Sequence, residues 1–243
     1  MIDETFCRLR RVIGNDALEK LHNAHVVLFG IGGVGGFAAE ALARSGIGHL
    51  TIIDGDDVAR SNINRQIIAL NSTVGRPKVE VAKERLLDIN PDIRIDALKQ
   101  VFLPGQQVPF DSDTDYVIDA IDTVAAKVEL VRVCRDMNVP LISCMGTGNK
   151  LDPTLLQVAD IFDTEVCPLC RVMRHELRKR GIDHLKVVYS PETPITPIDD
   201  GEQAQASRRA VPGSTMFVPP VAGIMLAREA VLSIVGDALP NRQ

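Results

Sequence analysis

Tryptophan is absent from the 243 residues, and aromatic side chains make up only 4%. A core built from this chain must therefore be aliphatic, and its Val-, Ile-, Leu- and Ala-rich runs supply one. No run of 18 consecutive apolar residues occurs. The nearest candidate, 216–235, carries Pro219, Pro220, Arg228 and Glu229, so stable membrane insertion is not expected. The N-terminal MIDETFCRLRR lacks the apolar stretch of a secretory leader. Excess positive charge is missing too: the formal net charge is −5, which leaves nucleic-acid binding to a local patch at most. The five cysteines (Cys7, Cys134, Cys144, Cys167 and Cys170) are an odd set, three of them far from any partner in sequence. They do not read as a disulfide framework, and a reduced, cytoplasmic protein is the expectation.

What the sequence does contain is alternation. Short apolar runs at 25–29, 50–53, 93–98, 116–118 and 140–144 read as buried strands. Helical patterns at 33–45, 74–89 and 125–138 lie between them. The fold class expected is α/β: a doubly wound, mainly parallel Rossmann-like sheet with helices on both faces. Residues 1–24 read as an N-terminal helical arm and 25–150 as the nucleotide-binding core. Residues 151–243 read as an extension, with strands at 155–159 and 186–189 that allow antiparallel pairing and helices at 172–180 and 221–235. Pro-rich 190–212 reads as a long mobile loop.

Gly30-Ile31-Gly32-Gly33-Val34-Gly35 falls between the first strand and the first core helix. Glycines let the backbone turn tightly and approach a phosphate, and the helix N-terminus adds free N–H groups and partial positive charge. Asp54 ends the second strand, where a carboxylate accepts from a ribose hydroxyl. A triphosphate needs cations as well. Arg65 follows in Ser61-Asn62-Ile63-Asn64-Arg65-Gln66, and Lys78 closes Gly75-Arg76-Pro77-Lys78. Asp119-Ala120-Ile121-Asp122 ends the fourth strand, and Asp122 there suits Mg²⁺. Singly, Arg65 and Lys78 read as solvated charges and Asp122 as a helix N-cap. In this order they favour ATP over a nicotinamide cofactor, so an oxidoreductase or a nucleotide sensor ranks lower.

These motifs, with Asp54-Gly55-Asp56-Asp57-Val58, resemble the ThiF/MoeB/HesA superfamily of adenylating enzymes related to ubiquitin-activating enzymes. The resemblance implies a single ThiF-type domain that uses ATP, with Mg²⁺, to activate a carboxylate. It implies nucleotide contacts at Gly30, Gly32, Gly33, Gly35, Asp54, Asp56, Asn62, Arg65, Gln66 and Lys78. Arg8, Arg65, Lys78 and Asp122 are the catalytic positions it points to. It also implies a homodimer in which an N-terminal Arg, matched here by Arg8 beside Arg10 and Arg11, reaches the partner's phosphates. Leu151-Asp152-Pro153, Cys167-Pro168-Leu169, Val187-Val188-Tyr189-Ser190 and the run 213–219 look like the tRNA threonylcarbamoyladenosine dehydratase branch. That branch implies ATP-dependent cyclisation of a threonylcarbamoyl group on tRNA.

Sulfur-carrier adenylating relatives usually carry two CxxC pairs for structural zinc. Here only Cys167 and Cys170 are so spaced, and a closed zinc site needs four ligands. Inert thiols are the preferred reading, with structural zinc and a redox pair ranked below it. An adenylyltransferase acting on the C-terminal glycine of a ubiquitin-like sulfur carrier is the alternative function, and a sulfur-transfer protein is carried as a further partner. Arg171, Arg174 and Arg178 share one face of a helix, and the expectation places tRNA phosphates against it. A solvated helix face is the competing reading. Arg208 and Arg209, in the loop, are a second basic candidate.

Overall fold

A computed structural model describes residues 4–198 and 212–240. Seven strands form one sheet in the order β3-β2-β1-β4-β5-β7-β6. They are β1 (His25–Phe29), β2 (His49–Ile53), β3 (Arg94–Leu98), β4 (Tyr116–Asp119), β5 (Leu141–Cys144), β6 (Gln157–Asp160) and β7 (Lys186–Tyr189). All neighbours run parallel except β6 against β7. The doubly wound expectation therefore holds, and the extension adds one antiparallel pair. β7 also pairs in parallel with β5, so the extension continues the sheet of the core rather than forming another.

Strand β1 shows why both faces are covered. Side chains alternate across a strand. Val26 and Leu28 enter a cluster with Leu42, Leu50, Ile118 and Leu226, while Val27 and Phe29 enter another with Phe102, Val117 and Leu130. The first face is covered by α2 (Asn15–Asn23), α3 (Gly35–Arg44), α4 (Lys78–Ile89) and α7 (Val218–Val235), and the second by α5 (Val124–Met137). A third cluster joins α5, β7 and α6 (Pro168–Arg178). Helix α7 packs on α3, and Gly223 permits the approach: a Cβ there would lie 2.2 Å from the Val34 carbonyl oxygen. By length and composition Val218–Ala238 could cross a membrane, but 56% of its apolar window is buried inside the protein, as a core helix requires.

Several boundaries differ from expectation. The N-terminal arm is two helices, α1 (Cys7–Ile13) and α2, broken at Gly14 with φ 85°. Helix α4 begins at Lys78 rather than at 74, because Pro77 is extended and pairs with Asp57. Strand β6 starts two residues late, since Pro153–Leu155 forms a 3₁₀ turn capped by the Asp152 side chain. Helices α6 and α7 start early, with prolines in their first turns, where a missing N–H costs nothing. Residues 190–198 contain no helix or strand. The rest of the expected loop up to 211, with Arg208 and Arg209, lies outside the described residues.

Candidate nucleotide site

The chain runs β1-β2-β3 to one side and then returns to place β4 on the other side of β1. Ligands of such sheets bind at this switch, beyond the carboxyl ends of the strands. The glycine turn sits there. Gly30 has φ 89°, and a Cβ on it would stand 2.6 Å from the Ala120 carbonyl oxygen. A Cβ on Gly35 would stand 1.7 Å from the Gly30 carbonyl oxygen, so Gly35 lets α3 close onto its own strand. Gly30, Gly32 and Gly33 line a cavity of about 540 Å³, whereas Gly35 is buried behind it. Its expected nucleotide contact is replaced by a packing role.

Asp54 organises the turn. Its Oδ2 accepts from the Ile31 N–H at 2.7 Å and its Oδ1 from the Asp56 N–H at 2.9 Å. Lys78, 5% exposed, donates from Nζ to Asp56 Oδ2 at 2.7 Å and stands 3.9 Å from Asp54 Oδ1. Helix α4 thus delivers its first side chain into the cavity, backed by two carboxylates. Arg65 is held from below: Nη1 donates to the Ser61 carbonyl at 2.9 Å and to Asn64 Oδ1 at 3.0 Å. Asn62 accepts from the Ala59 N–H at 3.0 Å, which shapes the turn that aims Arg65. Gln66 is buried, and its Oε1 is the buried side-chain oxygen among the described residues with no hydrogen-bond partner. A buried acceptor costs free energy when unpaired, so this atom calls for a donor such as a ribose hydroxyl or a metal-bound water.

Asp54, Asp56, Asn62, Arg65, Gln66, Lys78 and Asp122 all line this one cavity. Phe29, Ile53, Val101, Phe102 and Leu103 give the lining an apolar part, as a purine needs, and residues 144–148 with Leu169 and Gly213 also line it. Asp122 is exposed there, and its Oδ1 accepts from Thr123 Oγ1 at 3.2 Å. Among the described residues no three His, Cys, Asp or Glu side chains converge as a metal cluster. One carboxylate beside a polyphosphate is the donor set that Mg²⁺ usually accepts.

Not every expected position is on this wall. Arg8 is exposed on α1, away from its own chain's cavity. Arg174 is corrected: its Nη1 donates to the Ile161 and Thr164 carbonyls at 3.2 and 2.9 Å and to Thr164 Oγ1, so it ties α6 to the preceding turn. Arg178 stays exposed with its guanidinium over the Phe162 ring, and Arg171 stays exposed beside it. Cys167 caps α6, and hydrogen bonds from the Cys170 thiol and from the Cys170 and Gly146 N–H groups lower its pKa. The same contact, with burial, raises Cys170.

Sequence reasoning missed a buried cluster behind the wall. Lys127 and Asp119, both 0% exposed, form an ion pair at 3.0 Å, and Ser143 hydrogen-bonds both. A lysine in the first turn of a helix that follows a strand ending in Asp was the available signal.

The fold and cavity define a nucleotide-binding α/β protein lined for a polyphosphate. Residues 6–243 match the ThiF family, and the chain belongs to it. The tRNA threonylcarbamoyladenosine dehydratase of Bacillus subtilis is 44% identical over 241 residues, 96% of this chain and 95% of its own length. That of Escherichia coli K12 is 41% identical over 79% of this chain and 75% of its own length. The E. coli sulfur carrier protein ThiS adenylyltransferase is 37% identical over 62% of this chain and 63% of its own length. The crystal structure of E. coli tRNA N6-threonylcarbamoyladenosine dehydratase, TcdA, in complex with ATP superposes at a TM-score of 0.86. It is 35% identical over 98% of each chain.

Proposed function

We propose that this chain is an ATP-dependent dehydratase that cyclises threonylcarbamoyladenosine in tRNA by activating its carboxylate. The observation that carries the reading is that Arg65, Lys78 and Asp122 line the same cavity as the glycine turn. Similarity to dehydratases over nearly the whole chain, against about three-fifths for the sulfur-carrier enzyme, sets the substrate class.

A free carboxylate is a poor electrophile. In the reaction proposed, a carboxylate oxygen attacks a phosphorus of ATP. Attack at the α-phosphorus gives an acyl-adenylate and releases pyrophosphate, and attack at the γ-phosphorus gives an acyl-phosphate and releases ADP. The carbamoyl nitrogen or oxygen of the same group then attacks the acyl carbon and expels the phosphate leaving group, while a carbamoyl N–H gives its proton to solvent. The carboxylate oxygen departs with that group, so the product is lighter by one water. Tethering of the nucleophile can replace ~7–11 kcal/mol of barrier, so no enzyme nucleophile is needed. Arg65 and Lys78 stabilise charge growing on the phosphates. Asp122 would hold Mg²⁺, which when bound neutralises the polyphosphate further.

Arg171 and Arg178 on the exposed face of α6 are offered as tRNA phosphate contacts, without Arg174. Arg8, exposed and remote from its own cavity, fits delivery to a second copy in a homodimer. A cytoplasmic setting and a sulfur-transfer partner complete the reading. The test is mass spectrometry of nucleosides from threonylcarbamoylated tRNA incubated with the protein, ATP and Mg²⁺. A nucleoside one water lighter is expected. An unchanged tRNA, with ATP–pyrophosphate exchange only when a sulfur-carrier protein is added, would reverse the assignment.

A further inference from the structure

We propose that Lys127 is a positioning residue that sets Asp122 against the glycine turn and so governs how the site engages Mg²⁺. The inference rests on the function proposed above. The Lys127 ammonium occupies the junction of three elements. It donates to Asp119 Oδ2 at 3.0 Å on β4, to Ser143 Oγ at 3.1 Å on β5 and to the Cys144 carbonyl at 2.8 Å at the exit of β5. All three of its protons are therefore used. Ser143 Oγ donates to Asp119 Oδ2 at 2.6 Å, and the other oxygen, Oδ1, accepts from the Ile121 N–H at 3.0 Å. Every bond in this cluster thus leads to the turn 120–123 or to the wall that begins at Cys144. The Lys127 N–H closes the turn from the other side by donating to the Thr123 carbonyl at 3.0 Å.

That turn is pressed on the nucleotide loop. The Ala120 N–H donates to the Phe29 carbonyl at 2.8 Å, and the Ala120 oxygen fills the space where a Gly30 side chain would be. Asp122 itself has one hydrogen bond, to its neighbour Thr123, and is exposed. Its position comes from the backbone beneath it, and Lys127 holds that backbone. A hydrophobic lysine substitute would fill the volume but supply no cross-link from α5 to β4 and β5. A buried ion pair is weak evidence for stability, so the bonds from Lys127 to two strands are read as fixing geometry.

The test uses the full chain in three forms: Lys127→Met, Asp119→Asn/Lys127→Met, and Ser143→Ala. The double variant removes both charges together, so no orphaned ion destabilises it, and it decides the matter if the single variant fails to fold. Two readouts are taken: calorimetric ATP affinity with and without Mg²⁺, and turnover of threonylcarbamoylated tRNA. Loss of a residue that orients a metal ligand typically costs about 10–100-fold in metal affinity or activity. The double variant is expected to show that loss in the Mg²⁺ half-saturation and in kcat, with Mg²⁺-free ATP affinity close to that of the parent. Ser143→Ala, which leaves the ion pair, is expected to fall between. A double variant that keeps the parent's Mg²⁺ half-saturation and kcat would overturn the inference. A parent chain that binds Mg²⁺–ATP but leaves the tRNA unchanged would instead defeat the proposed function, and the calorimetric arm would still judge Lys127.

Discussion

Replacing Lys78 by Met removes a charge while keeping most of the side chain's length and volume. Two losses follow. Under the proposed function the ammonium no longer bonds a phosphate oxygen, and bonds to charged groups are worth about 1.5–3 kcal/mol. The carboxylates of Asp56 and Asp54, at 2.7 and 3.9 Å from Nζ, also lose their counter-ion. A carboxylate and a phosphate oxygen about 6 Å apart repel by roughly 3 kcal/mol at an effective dielectric constant near 20. Screening and relaxation make the sum smaller than its parts. We therefore expect kcat/KM for ATP to fall on the order of 10²–10⁴-fold. The fold should persist, because Asp54 keeps its bonds from the Ile31 and Asp56 N–H groups. Adding Asp56→Asn to the variant should recover about tenfold, since one repelling charge is gone. Calorimetry with Mg²⁺–ATP and thermal unfolding of the same samples make the measurement. If the Lys78→Met variant binds and turns over ATP within about threefold of the parent, Lys78 does not face the phosphates.

Asp122→Ala is expected to abolish Mg²⁺-dependent turnover without lowering Tm, because its side chain accepts only from Thr123; full turnover would remove it from the site. Gly35→Ala should cost at least ~1–3 kcal/mol and ATP binding with it, because its Cβ would overlap the Gly30 oxygen. Gly36→Ala, whose Cβ would meet only Ile67 Cγ2 at 3.3 Å, is the tolerated control, and equal Tm values for the pair would contradict the packing described. His25 has its pKa lowered from 6.5, first by burial and then by the stacked His49, with Asp96, Asp115 and Arg94 also facing it. The unfolded chain thus binds the proton more tightly, and stability should fall as pH drops below about 6.5 toward the lower folded value. In His25→Asn the Tm-against-pH slope should flatten in that window, and an unchanged slope would assign it elsewhere. Arg178→Glu should weaken tRNA binding and reduce its salt slope by about 1, whereas Arg174→Lys should act mainly on Tm; an unchanged affinity and salt slope in Arg178→Glu would move the RNA off this face.

The parts of the site legible in the sequence are those encoded locally. A strand of Val, Leu and Phe running into Gly30 and a helix opening at Gly35 state their own geometry, because each signal lies within a few residues of the next. Asp54 and Lys78 were legible for the same reason: one follows the end of β2 and the other begins α4, whereas Arg65 lies in the turn between them and was legible from its motif Ser61–Gln66. Arg174 was misjudged by the same local logic. Its i, i+3 spacing with Arg171 is real, but the Ile161 and Thr164 carbonyls that claim it come from a turn before the helix.

The Lys127 cluster marks where local reading stops, and why. Asp119 and Ser143 are separated by the helix that carries Lys127, and the pairing of β4 with β5 brings the three together. In sequence Lys127 is one of several charged residues of α5, and its helical spacing alone does not mark it for burial. The sheet order decides it. With β5 beside β4, Lys127 in the first turn of α5 reaches acceptors on both strands, as a buried ammonium requires. The Asp119 carboxylate, the Ser143 hydroxyl and the Cys144 carbonyl are the acceptors the seam supplies. A polar group buried at that cost, one turn of chain away from an exposed acid on the cavity wall, ties the geometry of the fold to the chemistry at its edge.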